Sequence, residues 1–206
     1  MAPPPAPTAG ETLGWARNQL GGVGAKAFVA GRSSGEDQSP LRVLVLTQCG
    51  LSSAAVSFAA DSWHRLSCVT ELVLSSNALG PDGGLEVAKL LSDKKSHLET
   101  LELNQCDLGA EGVNAIASAA ARCAALRQLH LGDNNVPASS VAPLCELITT
   151  KQGGFATLSL RNNPGMAEND GIRKLAAELA RPETAVTSLN LSQCGVTPLD
   201  LTALLA

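Results

Sequence analysis

LETLELNQCDLGAEG, residues Leu98–Gly112, combines two hydrophobic patterns in one short stretch. Leu101 and Leu103 are two apart, so on a strand both side chains fall on one face. Leu98 and Leu108 lie on the turns into and out of that strand. Cys106 sits where the chain bends away, and its small side chain must go inward. Gly112 closes the unit.

The same spacing begins again at Leu41 (LRVLVLTQCGL), Val69 (VTELVLSSNAL), Leu126 (LRQLHLGDNNV), Phe155 (FATLSLRNNPG) and Val186 (VTSLNLSQCGV). Successive starts, Leu98 included, are 28, 29, 28, 29 and 31 residues apart. A fixed period of this size marks a repeat architecture, and L-x-x-L-x-L-x-x-N/C-x-L is the leucine-rich repeat signature. Strands are expected near Val43–Leu46, Glu71–Leu74, Thr100–Leu103, Gln128–Leu131, Thr157–Leu160 and Ser188–Leu191. Each unit leaves room for a helix after its strand. A helix is about 10 Å wide whereas strands stack at about 4.7–4.9 Å, so the helical side takes more room and the stack curves. The expected fold is therefore α/β: a right-handed solenoid of six repeats, a horseshoe arc. Its parallel sheet lines the concave face and its helices the convex one.

Helix positions support the repeat. Val113, Ile116, Ala120 and Cys123 recur at helical spacing, as do Val56, Ala59, Trp63 and Leu66, with Trp63 read as core. Pro81 and Pro137 suit first helical positions, where a missing N–H costs nothing. In the fifth repeat Gly165 replaces the apolar eleventh residue, and Pro164–Asp170 reads as a small insertion. Ahead of the array, residues 1–10 read as a Pro/Ala-rich flexible tail. Residues 11–40 read as an N-terminal cap and connector, with a short helix over Thr12–Leu20 ended by Gly21, Gly22 and Gly24. Ala25–Ala30 is a strand or a second short helix, and Arg32–Ser39 a polar connector. Residues 41–206 are the repeat domain.

Composition narrows the function. The net charge is −4 and the chain has no basic cluster, which argues against binding nucleic acid by phosphate neutralisation. No apolar run reaches the ~18 residues of a membrane span. With no Tyr and 2% aromatics, the core is Leu, Val, Ile and Ala. The six cysteines do not suggest a disulfide framework. Cys49, Cys106 and Cys194 share the ninth repeat position, at least one repeat apart, and Cys68, Cys123 and Cys145 lie in or beside helices. Reduced thiols in a cytoplasmic protein are the expectation. No phosphate loop, metal-ligand spacing or nucleotide fingerprint is present, so no cofactor is expected.

Repeats alternating between 28 and 29 residues, with ninth positions Cys49, Asn77, Cys106, Asn134, Asn163 and Cys194, resemble the ribonuclease-inhibitor class of leucine-rich repeats. "CGL" at Cys49–Leu51 and "NALGPDG" at Asn77–Gly83 are close to that class's two repeat types. The resemblance covers Leu41 to Ala206. It implies a protein that binds other proteins.

Repeat positions three, five, seven and eight face the concave side. Position three holds Val43, Glu71, Thr100, Gln128, Thr157 and Ser188. Position five holds Val45, Val73, Glu102, His130, Ser159 and Asn190. Position seven includes Asn104, Gly132 and Arg161, and position eight includes Asp133 and Asn162. The candidate partner-binding residues on this face are Val45, Val73, Glu71, Glu102, Asn104, His130, Asp133 and Arg161. Glu102, His130 and Ser159 form a row that resembles a catalytic set on paper, with Glu102 loosely paired to His130. An open sheet without an oxyanion hole does not favour catalysis, and no enzyme is expected. The buried Asn residues at position nine are read as satisfying turn backbone.

The resulting expectation is a non-enzymatic protein-interaction scaffold, a subunit of a larger intracellular assembly. The class resemblance suggests a cytoskeletal or ciliary one. A concave face without aromatic side chains does not favour a tight inhibitor-like grip. Two other readings stand beside it: a small-GTPase regulator of the Ran-activating type, using Arg161, and a sensor or ligand-recognition module. The C-terminal edge is a second candidate surface, through Asn190, Leu199, Leu201 and Leu205. There a short helix from Pro198 leaves Leu199 and Leu205 near the end face, while Leu201 and Leu204 take inward positions. A second copy of the chain, associating end to end, is one candidate partner for that edge.

Overall fold

The computed structural model describes residues 11–31, 41–61, 68–94, 96–150, 154–182 and 184–205. They form one parallel sheet of seven strands in sequence order. The strands are β1 (Thr12–Gly14), β2 (Val43–Val45), β3 (Glu71–Val73), β4 (Thr100–Glu102), β5 (Gln128–His130), β6 (Thr157–Ser159) and β7 (Ser188–Asn190). Each is followed by a helix: α1 (Gly21–Gly31), α2 (Ser53–Asp61), α3 (Gly80–Ser92), α4 (Gly109–Arg122), α5 (Val141–Thr150), α6 (Gly171–Leu179) and α7 (Pro198–Leu205). This alternation of strand and helix along one sheet is the α/β solenoid read from the repeat.

The core lies between sheet and helices. Leu98, Leu101, Leu103, Cys106 and Leu108 are each fully buried, as are Val113, Ile116 and Ala120 on α4. Each such Leu contributes about 1.5–3 kcal/mol by leaving water. The expected apolar helix positions that fall in α2 are represented by Val56, which is buried. Trp63 and Leu66, and the side chain of Ala59, lie outside the described residues.

Three expectations change. First, Thr12–Leu20 is not a helix. Thr12–Gly14 is a strand in register with Val43–Val45, and Gly21, Gly22 and Gly24 open α1 instead of ending a helix. The segment read as a cap thus carries its own strand, turn and helix, built on the repeat plan. Its register aligns Arg17 with Gln48, Asn18 with Cys49 and Leu20 with Leu51. The expected tail and polar connector lie outside the described residues. Second, Pro137 does not open an α-helix. It precedes a 3-10 turn, Ala138–Ser140, which leads into α5. Third, Leu201 does not pack inward; it is 51% exposed.

The fifth repeat keeps its core by other means. Its insertion, Pro164–Asp170, coils as a 3-10 segment, and Met166 within it is fully buried. Met166 thus supplies the apolar side chain that Gly165 lacks. Gly165 itself lies against the preceding turn, where a Cβ would sit 3.2 Å from the Val136 carbonyl oxygen.

Every turn after a strand uses the same backbone device. Arg17, Gln48, Ser76, Gln105, Asp133, Asn162 and Gln193 all hold position eight, and all have φ between 55° and 62°. This left-handed residue turns the chain from strand direction into the loop, at a modest steric cost for a non-glycine residue. In the six later repeats the residue that follows, at position nine, is buried; in the first, Asn18 is exposed.

Candidate functional site

Position nine joins one repeat to the next. The Asn77 amide nitrogen donates to the carbonyls of Leu74 (2.7 Å) in its own repeat and Leu46 (2.8 Å) in the one before. Its oxygen accepts from the N–H groups of Cys49 (2.9 Å) and Leu51 (3.0 Å). Asn134 binds Leu103, Gly132, Cys106 and Leu108 in the same way, and Asn163 binds Leu131, Leu160, Asn134 and Val136. A cysteine at this position performs only the donor half. Cys106 donates its thiol to the Leu74 carbonyl at 3.4 Å, and Cys194 to that of Leu160 at 3.0 Å. Burial pushes the Cys106 thiol up to about 11, so it stays protonated and can donate. Burial raises Cys194 as well. These residues are structural, and all six cysteines stand as free thiols.

With the turns satisfied internally, the strand face is left for other uses. The register aligns Val43, Glu71, Thr100, Gln128, Thr157 and Ser188 in one row. A second row runs Val45, Val73, Glu102, His130, Ser159 and Asn190. These are the rows expected from the sequence. Glu71, Glu102, Asn104, His130 and Val45 are half-buried, so their tips reach solvent. Val73 is buried and offers little surface, so of the three valines on this face only Val43 and Val45 are partly exposed.

Glu102, His130 and Ser159 lie side by side in register. Among the described residues no ion pair joins Glu102 to His130, so the loose pairing expected there is absent. The charged contact that does form is one strand further on. Arg161 donates to Asp133 at 2.8 Å, and Asn162 donates to the other oxygen of the same carboxylate. Beside them Gly132 fits closely: its N–H donates to the Asn104 side-chain oxygen at 2.8 Å, and a Cβ there would make that side chain shift, standing 2.9 Å from the same oxygen. Asp133, Arg161 and Asn162 therefore form a polar network at the C-terminal ends of β5 and β6, with Asn104 beside it on the Gly132 N–H.

A second concavity was not anticipated. It is an open groove of about 450 Å³ before the N-terminal ends of the strands, lined by Glu11, Arg42, Cys68, Thr70, His97, Glu99 and Ala125. These residues precede or occupy repeat position two. Position two is partly or fully exposed in every repeat, so its charges at Glu11, Arg42 and Glu99 read as ordinary surface residues and gave no signal of a groove. Both signs line the groove. Among the described residues no cluster of His, Cys, Asp and Glu has metal-binding geometry.

At the C-terminal edge Leu199 and Leu201 are exposed, and Asn190 caps the Ser192 N–H at 3.0 Å. The side chain of Leu205 lies outside the described residues. Asp200, which the sequence reading passed over, is buried. Its carboxylate accepts from the Thr197 hydroxyl (2.7 Å) and N–H (2.8 Å), and the Thr197 hydroxyl oxygen accepts from the Asp200 N–H. This is a capping box opening α7. The Thr197 hydrogen bonds, with Arg173 nearby, hold the Asp200 carboxyl below its ordinary 3.8. Among the described residues no helix is long and apolar enough to cross a membrane.

Comparison with known proteins agrees with this geometry. A family described as Leucine Rich repeat matches residues 65–88 and 94–117, which span β3 and β4 and the starts of α3 and α4. NACHT, LRR and PYD domains-containing protein 5 of Homo sapiens is 30% identical over 181 residues, covering 88% of this chain and 15% of that protein. Ribonuclease inhibitor of Sus scrofa is 30% identical over 143 residues, covering 69% of this chain and 31% of the inhibitor. Ribonuclease inhibitor of Mus musculus is 26% identical over 185 residues, covering 76% of this chain and 40% of the inhibitor. The chain spans less than half the length of each of these relatives.

Proposed function

The chain belongs, at the level of class, to the ribonuclease-inhibitor-like leucine-rich repeat proteins, and on that premise we propose that it is a non-enzymatic scaffold that holds other proteins on its strand face. One observation carries the reading: the half-buried side chains on and just after β3–β5, Glu71, Glu102, Asn104 and His130, present their tips to solvent while the backbone of the strands beneath them is paired. A rigid, pre-organised and largely polar surface of this kind suits protein recognition without a large ordering cost. The face is weakly acidic at Glu71 and Glu102, which favours a partner segment carrying Lys or Arg.

The finer placement, as a cytoplasmic subunit of a cytoskeletal or ciliary assembly, rests on the class resemblance alone. The sensor or ligand-recognition reading draws support from the relatives named for NACHT, LRR and PYD domains. It uses the same face and differs only in what occupies it. The GTPase-regulator reading rests on Arg161, whose guanidinium is committed to Asp133.

The test places a photo-crosslinking residue at Glu102 or His130 on the strand face, and at Lys89 or Glu146 on the helix side, in the native cell. Protein adducts at the first pair and none at the second are expected. Adducts confined to the helix side, or small-molecule adducts alone on the strand face, overturn the scaffold reading.

A further inference from the structure

Among the described residues at positions three, five and seven, the charged side chains besides His130 are Glu71, Glu102 and Arg161. Glu71 lies on β3 and Glu102 on β4, whereas Arg161 follows β6. The strand face is thus divided in charge, with two carboxylates on one part and a single guanidinium on another. Among the described residues neither carboxylate has a hydrogen-bond or ion-pair partner, so both are available to a binding protein.

Arg161 is held differently. The backbone ladder continues past β6, with the Asp133 N–H donating to the Arg161 carbonyl at 2.8 Å, so Arg161 stays on the face that Ser159 shares. Its Nη2 donates to Asp133 at 2.8 Å, and Asn162 donates to the other oxygen of that carboxylate. Asp133 is therefore taken on both oxygens by its neighbours. Only Nη2 of Arg161 is engaged: its side chain is 50% exposed, and among the described residues Nε and Nη1 have no partner. Gly132, the residue before Asp133, adds no side chain there to crowd the guanidinium. The outcome is a guanidinium braced from one side with an edge left over. Such an edge takes a carboxylate through parallel N–H···O bonds, and bracing it beforehand lowers the entropy lost on binding.

The register sets the distance between the two kinds of charge. Glu102 aligns with Ser159 across two strand spacings, and Arg161 lies two residues beyond Ser159. Strands about 4.8 Å apart and a rise of about 3.3 Å per residue put the Cα atoms of Glu102 and Arg161 about 12 Å apart.

We propose that the strand face binds a dipolar segment of a partner protein. A Lys or Arg of the segment lies over Glu71 and Glu102, and an Asp or Glu about 12 Å away is held by the free edge of Arg161, with Asp133 positioning the guanidinium. The occupant follows from charge complementarity. A segment carrying basic residues alone satisfies the carboxylates but meets Arg161 with like charge, so the face selects against it and gives the bound segment one direction. This proposal rests on the scaffold reading and adds the carboxylate contact to it.

A displayed library of random peptides, selected on the full chain, is the probe. Selected binders are expected to carry both a basic and an acidic residue, and one of them serves as a labelled peptide for titration. Arg161→Met should weaken that peptide about tenfold and leave unchanged the binding of the same peptide with its acidic residue converted to the amide. Glu102→Gln should weaken both peptides alike. Asp133→Asn should weaken the acidic peptide and spare the amide one, a difference that loss of structure would not produce. Selection on Arg161→Glu should return binders with a basic residue in place of the acidic one. Binders that depend on Glu102 but ignore Arg161 overturn the dipolar proposal and leave the scaffold reading standing. Binders that depend on neither residue, or a library that yields none, overturn the dipolar proposal as well, and the strand-face crosslinks then decide the scaffold reading separately.

Discussion

At the scale of single residues, position nine shows how side-chain chemistry decides cooperativity. Asn and Cys both go inward, but only Asn is donor and acceptor at once. Asn134 bonds to four backbone groups from two repeats, the carbonyls of Leu103 and Gly132 and the N–H groups of Cys106 and Leu108. Asn134→Ala leaves those groups unpaired in the core and should cost about 1–3 kcal/mol in a urea titration. Asn134→Cys should fall between wild type and Asn134→Ala, because a thiol restores the donor bond, as Cys106 shows with Leu74. An unchanged urea midpoint for Asn134→Ala would refute the bridging role. Side-chain type also explains what the sequence hid at this scale. The left-handed position eight is filled by Arg17, Gln48, Ser76 and Asp133 among others, residues with no shared signature. Arg161 and Asp133 hold different positions, seven and eight, of adjacent repeats, so matching positions favoured His130 with Glu102, which share position five, over the pair that forms.

At the scale of elements, helix contacts and helix starts decide the local outcome. α3 and α4 approach through glycine: a Cβ on Gly84 would stand 2.5 Å from the Gly112 Cα. Replacing a helical Gly by Ala ordinarily gains about 1 kcal/mol of propensity. Here the clash is with backbone, which cannot swing aside, so overpacking of about 1–3 kcal/mol should win. Gly84→Ala is expected to lower the melting temperature, and a stabilised variant would show that the two helices are free to separate. α7 depends instead on its start. Asp200 has a carboxyl pKa lowered by Thr197, so its contribution is present above the ordinary 3.8 and is lost as pH falls through the depressed value. Amide exchange in α7 should therefore quicken below about pH 4 while α4 is unaffected, and Asp200→Asn should remove the pH dependence. If α4 and α7 respond alike to acid, the box is not what holds α7. The six later strands were legible because each carries two leucine-type residues two apart in a fixed period. β1 and α1 were not, because Trp15 stands where the other repeats have Leu, and Gly21, Gly22 and Gly24 stand at a helix start where they read as a stop.

At the scale of the whole molecule, a solenoid has no long-range closure. Helix packing runs from α1 to α2 and onward to α6 and α7, each helix meeting its neighbours in sequence. Stability is then a sum of repeat terms and nearest-neighbour interfaces. A central repeat has two such interfaces and an end repeat one. Burial follows that count: Leu101 of β4 and Leu129 of β5 are fully buried, whereas Leu189 of β7 and Leu13 of β1 are only half-buried. The sheet should therefore open from its ends, and native-state hydrogen exchange should show the gradient directly. Amides of β4 and β5 should exchange only through global unfolding, and those of β1 and β7 through openings of lower free energy. Two substitutions separate this from uniform cooperativity. Leu101→Ala removes a fully buried side chain shared by two interfaces, costs about 2–5 kcal/mol, and should lower protection throughout the array. Leu189→Ala should cost less and speed exchange mainly in β7 and α7, leaving β4 at its wild-type rate. Equal loss of protection in β4 from both variants would mean that the array unfolds as one unit, and the nearest-neighbour account would be wrong.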